Sequence, residues 1–236
     1  MTTFEVIFSP ISGGRILDVA TGRGSFIHIM LESLKDYDEI IAIDSNDEFG
    51  VDFRETFTGK SITYQQMDAS ALNFADSSFD TVCISNSLHH MADPTRVLAE
   101  MQRVLKPSGT FIISEMMQDN LSEAQISHML MHHWGASINR AEGIFHKETY
   151  LRQELMDFAK NTALNNWKFY DVAYLDDDPK DLEAIEEIDG IIDLYTRKTE
   201  KLSDQEMLQK RGQAIRERVH EVGFHGATAL VAIGIK

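Results

Sequence analysis

Only one cysteine, Cys83, occurs among the 236 residues, so no internal disulfide can form. Prolines are few, and no Gly/Ser/Pro-rich or low-complexity tract breaks the chain, so residues 1–236 read as a single domain. No apolar run approaches the ~20 residues that cross a bilayer, which excludes a helical membrane span. Positive charge is scarce as well: 22 Lys and Arg face 38 Asp and Glu, a net charge of −16. The densest basic cluster, Lys210, Arg211, Arg216 and Arg218, is interleaved with Glu206, Glu217 and Glu221. That is a solvated helix face, not a footprint for a phosphate backbone, and nucleic acid is not an expected partner. The lone cysteine and an N-terminus without a signal-peptide pattern lead us to expect a soluble, cytoplasmic protein.

What the chain does contain is rhythm. Short apolar runs at Arg15–Val19, Ile40–Ile43, Ile62–Gln66, Thr81–Ser85 and Thr110–Ser114 predict strands. Between them, Ser25–Lys35, Asp47–Phe57 and Thr95–Leu105 carry helical patterns, the last opened by Asp93-Pro94 and closed by Lys106-Pro107-Ser108-Gly109. Such alternation predicts an α/β fold: a parallel, doubly wound sheet with ligands at the carboxyl ends of its strands. After Glu115 the pattern becomes more helical. Helices are expected over Ser122–Trp134, Lys147–Thr162, from Pro179 to Thr199, and over Ser203–Val222, with Ser203 and Glu206 forming a capping box. Strands are expected at Trp167–Leu175 and Ala227–Ile235. Two insertions follow from this: a lid at about 119–146 and a helical element at 179–222 that either caps the site or pairs across a homodimer. Met116, Met117, Met129 and Met131 read as a methionine-rich core.

The richest stretch is Arg15-Ile16-Leu17-Asp18-Val19-Ala20-Thr21-Gly22-Arg23-Gly24-Ser25-Phe26. It reads as a buried strand with an acidic residue near its end, a tight loop of small residues, and a helix start, which brings backbone N–H groups to a ligand. Asp44 follows the second strand, where a carboxylate can accept from ribose hydroxyls, and Asp68-Ala69 follows the third, where Asp68 can accept from an adenine amino group. Asn86-Ser87-Leu88-His89-His90 follows the fourth. A dinucleotide is disfavoured, because G-x-G-x-x-G would need a third glycine where Ile27 stands. Asp18 under the loop would also repel a pyrophosphate, whereas it suits an ammonium and a sulfonium.

Order and spacing of these four stretches resemble class I S-adenosylmethionine-dependent methyltransferases. Leu17-Asp18-Val19-Ala20-Thr21-Gly22, Phe79-Asp80-Thr81-Val82 and Leu105-Lys106-Pro107-Ser108-Gly109-Thr110 are similar to methyltransferases of ubiquinone and menaquinone biosynthesis and their relatives. The resemblance covers roughly residues 14–115. It implies a Rossmann-like seven-stranded sheet, mostly parallel with the last strand antiparallel, carrying helical cap insertions. It also implies S-adenosylmethionine held by Asp18, Ala20, Gly22, Gly24, Asp44, Ser45, Asp68, Ala69 and Asn86.

The chemistry implied is in-line displacement of an activated methyl group onto a small-molecule acceptor, by positioning and exclusion of water. His89 and His90 are the candidate general bases, competing with a plain structural role. His128, His132, His133, Trp134 and Tyr150, with Phe145, are expected to wall a substrate lid. His128 and His132 share a helix face, and with His146 they raise the question of a metal. No Glu or Cys completes a recognisable motif, so a metal is not expected. A protein or RNA acceptor, and a non-catalytic S-adenosylmethionine-binding protein, are the alternatives.

Overall fold

The computed structural model describes residues 3–236. Seven strands form one sheet: β1 Arg15–Val19, β2 Glu39–Asp44, β3 Ile62–Gln66, β4 Phe79–Ser85, β5 Leu105–Met116, β6 Asn165–Val172 and β7 Ala229–Ile235. Their order is β3-β2-β1-β4-β5-β7-β6, and β7 runs antiparallel to both β5 and β6. The pairs among β1 to β5 are all parallel. The expected doubly wound sheet with its antiparallel final strand is what forms.

Burial explains which runs became central. β1 is apolar at successive positions because helices cover both of its faces. Neighbouring residues serve opposite layers. Ile16 joins Phe26, Ile27 and Met30 of α2 (Ser25–Ser33) and Phe53 of α3 (Gly50–Thr56), together with Phe8 of the short α1 (Phe4–Phe8). Leu17 and Val19 join Val97, Leu98 and Met101 of α4 (Pro94–Val104) and Leu155 and Ala159 of α6 (Arg152–Lys160). Asp93 caps α4 by accepting from Arg96 N at 3.0 Å, with Pro94 in the first turn.

Three more helices do not cover the sheet in the ordinary way. α5 (Glu123–Ala141), α7 (Leu182–Lys198) and α8 (Gln205–Val222) pack on one another around Met131, Trp134, Ile138, Ile185, Ile188, Ile192, Leu208, Ile215 and Val219. The apolar residues of α7 therefore divide. Ile185, Ile188 and Ile192 face this core, whereas Leu182, Ile191 and Leu194 are exposed.

Four sequence expectations need correction. α5 runs two turns beyond Trp134, because Gly135, Ala136 and Ile138 continue its buried face. α6 begins at Arg152, not near Lys147, because the preceding backbone pairs with the end of β5: Tyr150 bridges Met117 and its carbonyl accepts from Gln118 N at 3.1 Å. Glu154 then reaches back to Leu151 N at 2.8 Å and starts the helix there. The capping box expected at Ser203 is absent, since its hydroxyl turns to Asp204 Oδ1 at 3.3 Å. The N-terminal helix α1 was not anticipated.

Candidate functional site

Parallel register brings the three acidic residues to one edge. Val19 lies opposite Ile43, and Asp44 opposite Gln66, so Asp18, Asp44 and Asp68 sit at the carboxyl ends of adjacent strands. The loop between β1 and α2 is built from backbone that side chains resist: Ala20, Gly22 and Gly24 have φ of 55°, 53° and 83°. Gly24 has no room for a Cβ, which would strike the rings of Phe53 and Phe57. Gly22 is different. A Cβ there would point into open space, so its missing side chain leaves a cradle and not a packing contact.

Polar groups around that cradle are incompletely satisfied. Asp18 is buried, with Cys83 Sγ 3.3 Å from Oδ1 and no partner on Oδ2. Burial raises its carboxyl to about 6, against the thiol donor that pulls it down. Thr21 Oγ1 is buried without a partner as well. Asp44 bends over the loop: Oδ2 accepts from Gly22 N at 2.9 Å and Oδ1 from Asn46 N at 3.0 Å. Asp68 is exposed, and the Ser70 N–H on Oδ1 at 2.8 Å holds its carboxyl below the usual range. Ser45 is exposed beside Asp44, and Ala69 is buried behind Asp68. An anion would find Asp18 and Asp44 repulsive here, whereas a ligand carrying ammonium, sulfonium and ribose hydroxyls meets acceptors for each.

Residues 17–113 match the family model of the methyltransferase domain. That stretch is a methyltransferase domain, similar to those of class I S-adenosylmethionine-dependent methyltransferases. It is 33% identical over 107 residues to a ubiquinone/menaquinone biosynthesis C-methyltransferase of Teredinibacter turnerae, a match covering 44% of this chain and 43% of that protein. A demethylmenaquinone methyltransferase of Renibacterium salmoninarum is 29% identical over 161 residues, 66% of this chain and 65% of that one. The chain thus spans between under half and about two thirds of the length of these curated relatives. Among solved structures, a Haloferax volcanii methyltransferase in complex with its Trm112 activator aligns with a TM-score of 0.58 at 19% identity, covering 95% of this chain and 83% of that one. A Haemonchus contortus phosphoethanolamine N-methyltransferase with bound S-adenosylhomocysteine aligns at 0.58 and 19%, covering 98% and 50%. These two likenesses show the fold. S-adenosylmethionine is the cofactor of such domains, and the cradle at Gly22 with the unpartnered oxygen of Asp18 fits it.

At the mouth of β4 the methyltransferase core meets its helical layer. Asn86, at φ 45°, ties β4 to β5 by accepting from Met116 N at 2.9 Å. Ser87 Oγ lies 3.2 Å from the Ala20 carbonyl and links this mouth to the cofactor loop. Beneath it Glu115, fully buried at the end of β5, accepts from Ser87 N at 2.6 Å and Leu88 N at 2.7 Å through Oε1. Its Oε2 lies 3.0 Å from His89 Nδ1. His89 is itself fully buried and its Nε2 has no partner. His90 sits at the exposed rim, its ring centroid 4.4 Å from that of His89 and 4.0 Å from that of His146.

The lid residues separate into different roles from those expected. Trp134 does not face a substrate. It is fully buried in the core of α5, α7 and α8, donating from Nε1 to the Leu208 carbonyl at 2.8 Å, with Gly212 against its ring. His128 accepts from Ala227 N at 2.8 Å through Nδ1, and His133 bonds Thr149 Oγ1 at 2.8 Å through Nε2. Tyr150 is core, its hydroxyl 3.5 Å from the Leu88 carbonyl. Phe145 is exposed. His132 alone of the expected lid set lines a cavity of about 210 Å³, together with His90, Gly135, Ile138, Asn139, His146, Tyr195 and Lys198. Sequence reasoning passed over Asn139 and Lys198, which carry no pattern of their own. Glu115 had a signal: a carboxylate ending an apolar strand has to be buried with partners.

Proposed function

We propose that the chain transfers the methyl group of S-adenosylmethionine to a small-molecule acceptor seated between the mouth of β4 and the helical layer. The observation that carries this is the Gly22 cradle, flanked by the unpartnered oxygen of Asp18 and by Asp44. When bound, the cofactor supplies a methyl group on positive sulfur, already activated for displacement.

The chain's own residues do the rest. Asp44 and Gly22 hold one another in place, so the loop is preorganised before the ligand arrives. Ser45, Ala69 and Asp68 line the nucleoside end, and Asn86 and Ser87 fix the mouth. α5 and α7 close the cavity and keep water from the acceptor. His90 takes the proton when the acceptor has one to lose. Desolvation, and then the nearby His89, lower its pKa to about 4, so it is neutral at cellular pH. A base this weak suits a proton that becomes strongly acidic only as the methyl bond forms.

A cavity of about 210 Å³ is of the size of a small metabolite, which supports a small-molecule acceptor. The net charge of −16 points the same way for RNA. The quinone precursors for which the relatives are named form one acceptor class to test. The family match ends at residue 113, before α5, α7 and α8, so every residue that lines this cavity except His90 lies outside it. Purified chain incubated with tritium-methyl S-adenosylmethionine and fractionated extract is expected to label extractable small molecules. Label confined to protein or RNA overturns the small-molecule reading, and no label in any fraction overturns transfer.

A further inference from the structure

One nitrogen from each of His89, His132 and His146 lies within 4.8 Å of the others. These residues come from three separate places: the turn after β4, the middle of α5, and the extended segment before α6. We propose that they form a binding site for a divalent cation of the zinc class, with Glu115 orienting His89 from behind and a further coordination position open to the cavity. This goes beyond methyl transfer and does not depend on it.

Three observations carry the site. First, His132 Nε2 and His146 Nε2 face each other at 3.3 Å. As neutral imidazoles they share a single N–H···N hydrogen bond, and a cation that displaces that one proton would be held by both lone pairs. Around a tetrahedral ion with metal–nitrogen bonds of about 2.0–2.1 Å, two ligand nitrogens stand about 3.3 Å apart, so the pair needs little movement to bind.

Second, His89 Nε2 is buried without a partner, while Nδ1 is engaged by Glu115. Two backbone N–H groups donate to Oε1 of the carboxylate, which leaves Oε2 to act as the acceptor toward His89. This places the ring proton on Nδ1 and leaves the Nε2 lone pair free. A carboxylate on the far nitrogen of a histidine is the usual second layer of a metal site. His146 Nδ1 lies 2.9 Å from Asn139 Nδ2; rotating that amide by half a turn presents its oxygen, which accepts from Nδ1–H and frees Nε2 as the ligand.

Third, His132 and His146 line the cavity, which leaves room for water or a ligand oxygen to complete the coordination. Three imidazoles with one open position favour zinc-class ions over magnesium, which prefers oxygen.

Sequence alone grouped His128, His132 and His146, and no metal was expected. The fold turns His128 toward Ala227 and brings His89 to the other two in its place.

Chelator-stripped full chain titrated with Zn²⁺ and, for spectroscopy, Co²⁺ tests the site without S-adenosylmethionine. The expected result is one ion per chain by elemental analysis, a visible Co²⁺ band typical of four-coordination, and no competition from Mg²⁺. His132→Asn and His146→Gln are expected to weaken binding at least about tenfold. His146 lies outside the helices, so His146→Gln tests the site even if His89 variants fail to fold, with circular dichroism as the check. The surface variant His220→Ala keeps full binding. Stripped wild-type chain that takes up no stoichiometric Zn²⁺, or His146→Gln that binds as wild type does, overturns the proposal. Either result leaves S-adenosylmethionine binding, measured separately, untouched.

Discussion

Glu115 Oε2 lies 3.0 Å from Nδ1 of His89, and both side chains are fully buried. The same carboxylate holds the backbone N–H groups of Ser87 and Leu88, so it sets the path of the chain at the mouth of β4 and the orientation of the ring that follows. Structure and chemistry share this one contact.

Replacing Glu115 with Ala strands two buried N–H donors, each expected to cost about 1–3 kcal/mol. Glu115→Gln keeps most of the shape but loses the anion that His89 Nδ1 points to. Urea unfolding should show Glu115→Ala clearly destabilised and Glu115→Gln less so, with Zn²⁺ affinity in the latter down by about 10–100-fold. Equal stability of wild type and Glu115→Ala would contradict this role.

Asp18 trades stability for binding. Its carboxyl is raised from 3.8 to about 6 by burial, so the folded chain holds that proton more tightly than the unfolded chain. The contribution to stability is therefore largest below pH 3.8 and is lost as pH rises through about 6. At neutral pH the ionised group costs about 3 kcal/mol. Asp18→Asn is expected to raise the melting temperature by several degrees at pH 7.5 while weakening S-adenosylmethionine binding at least about tenfold. A variant that melts lower and binds normally contradicts the assignment.

The lid histidines carry the opposite sign. His132 and His146 have folded pKa values of about 2 and about 3, below the ordinary 6.5. Their contribution is complete above 6.5 and is lost as pH falls below it, by about 1.4 kcal/mol per group for each pH unit. The groups facing them add to this, since His89, His90, His128, His133 and Arg140 all disfavour further positive charge. Melting temperature against pH should fall steeply below 6.5 in wild type. It should fall less steeply in His132→Asn and His146→Gln, and Zn²⁺ should raise it at pH 7.

Gly22→Ala separates binding from folding. The new Cβ meets no atom, although φ of 53° costs about 1–2 kcal/mol for any side chain. Calorimetry should show affinity for S-adenosylmethionine falling well beyond what that modest loss of stability explains, because the methyl occupies the ligand's cradle.

Much of this was legible beforehand for physical reasons. Central strands such as β1 and β4 are covered on both faces, so they read as short, largely apolar runs, and Asp18, Asp44 and Asp68 stand out at or just after the ends of β1, β2 and β3. The helical layer was harder. Trp134 on an amphipathic helix looks the same whether it faces a ligand or Leu208, and only tertiary packing decides. The histidine cluster was harder still. His89 and His132 are far apart in the chain, and no local spacing records that the turn after β4 meets the middle of α5. Near Lys147, helical propensity lost to pairing of Tyr150 with Met117, which competes for the same backbone groups.

The most direct test is isothermal titration of the intact chain with S-adenosylhomocysteine at pH 7.5, alongside Asp44→Ala. One saturable site per chain is predicted, with affinity reduced at least about tenfold in the variant, whose Gly22 N–H has lost its acceptor. No saturable heat from a folded wild-type chain, or identical binding by Asp44→Ala, would contradict the reading of this crevice as the seat of the methyl donor.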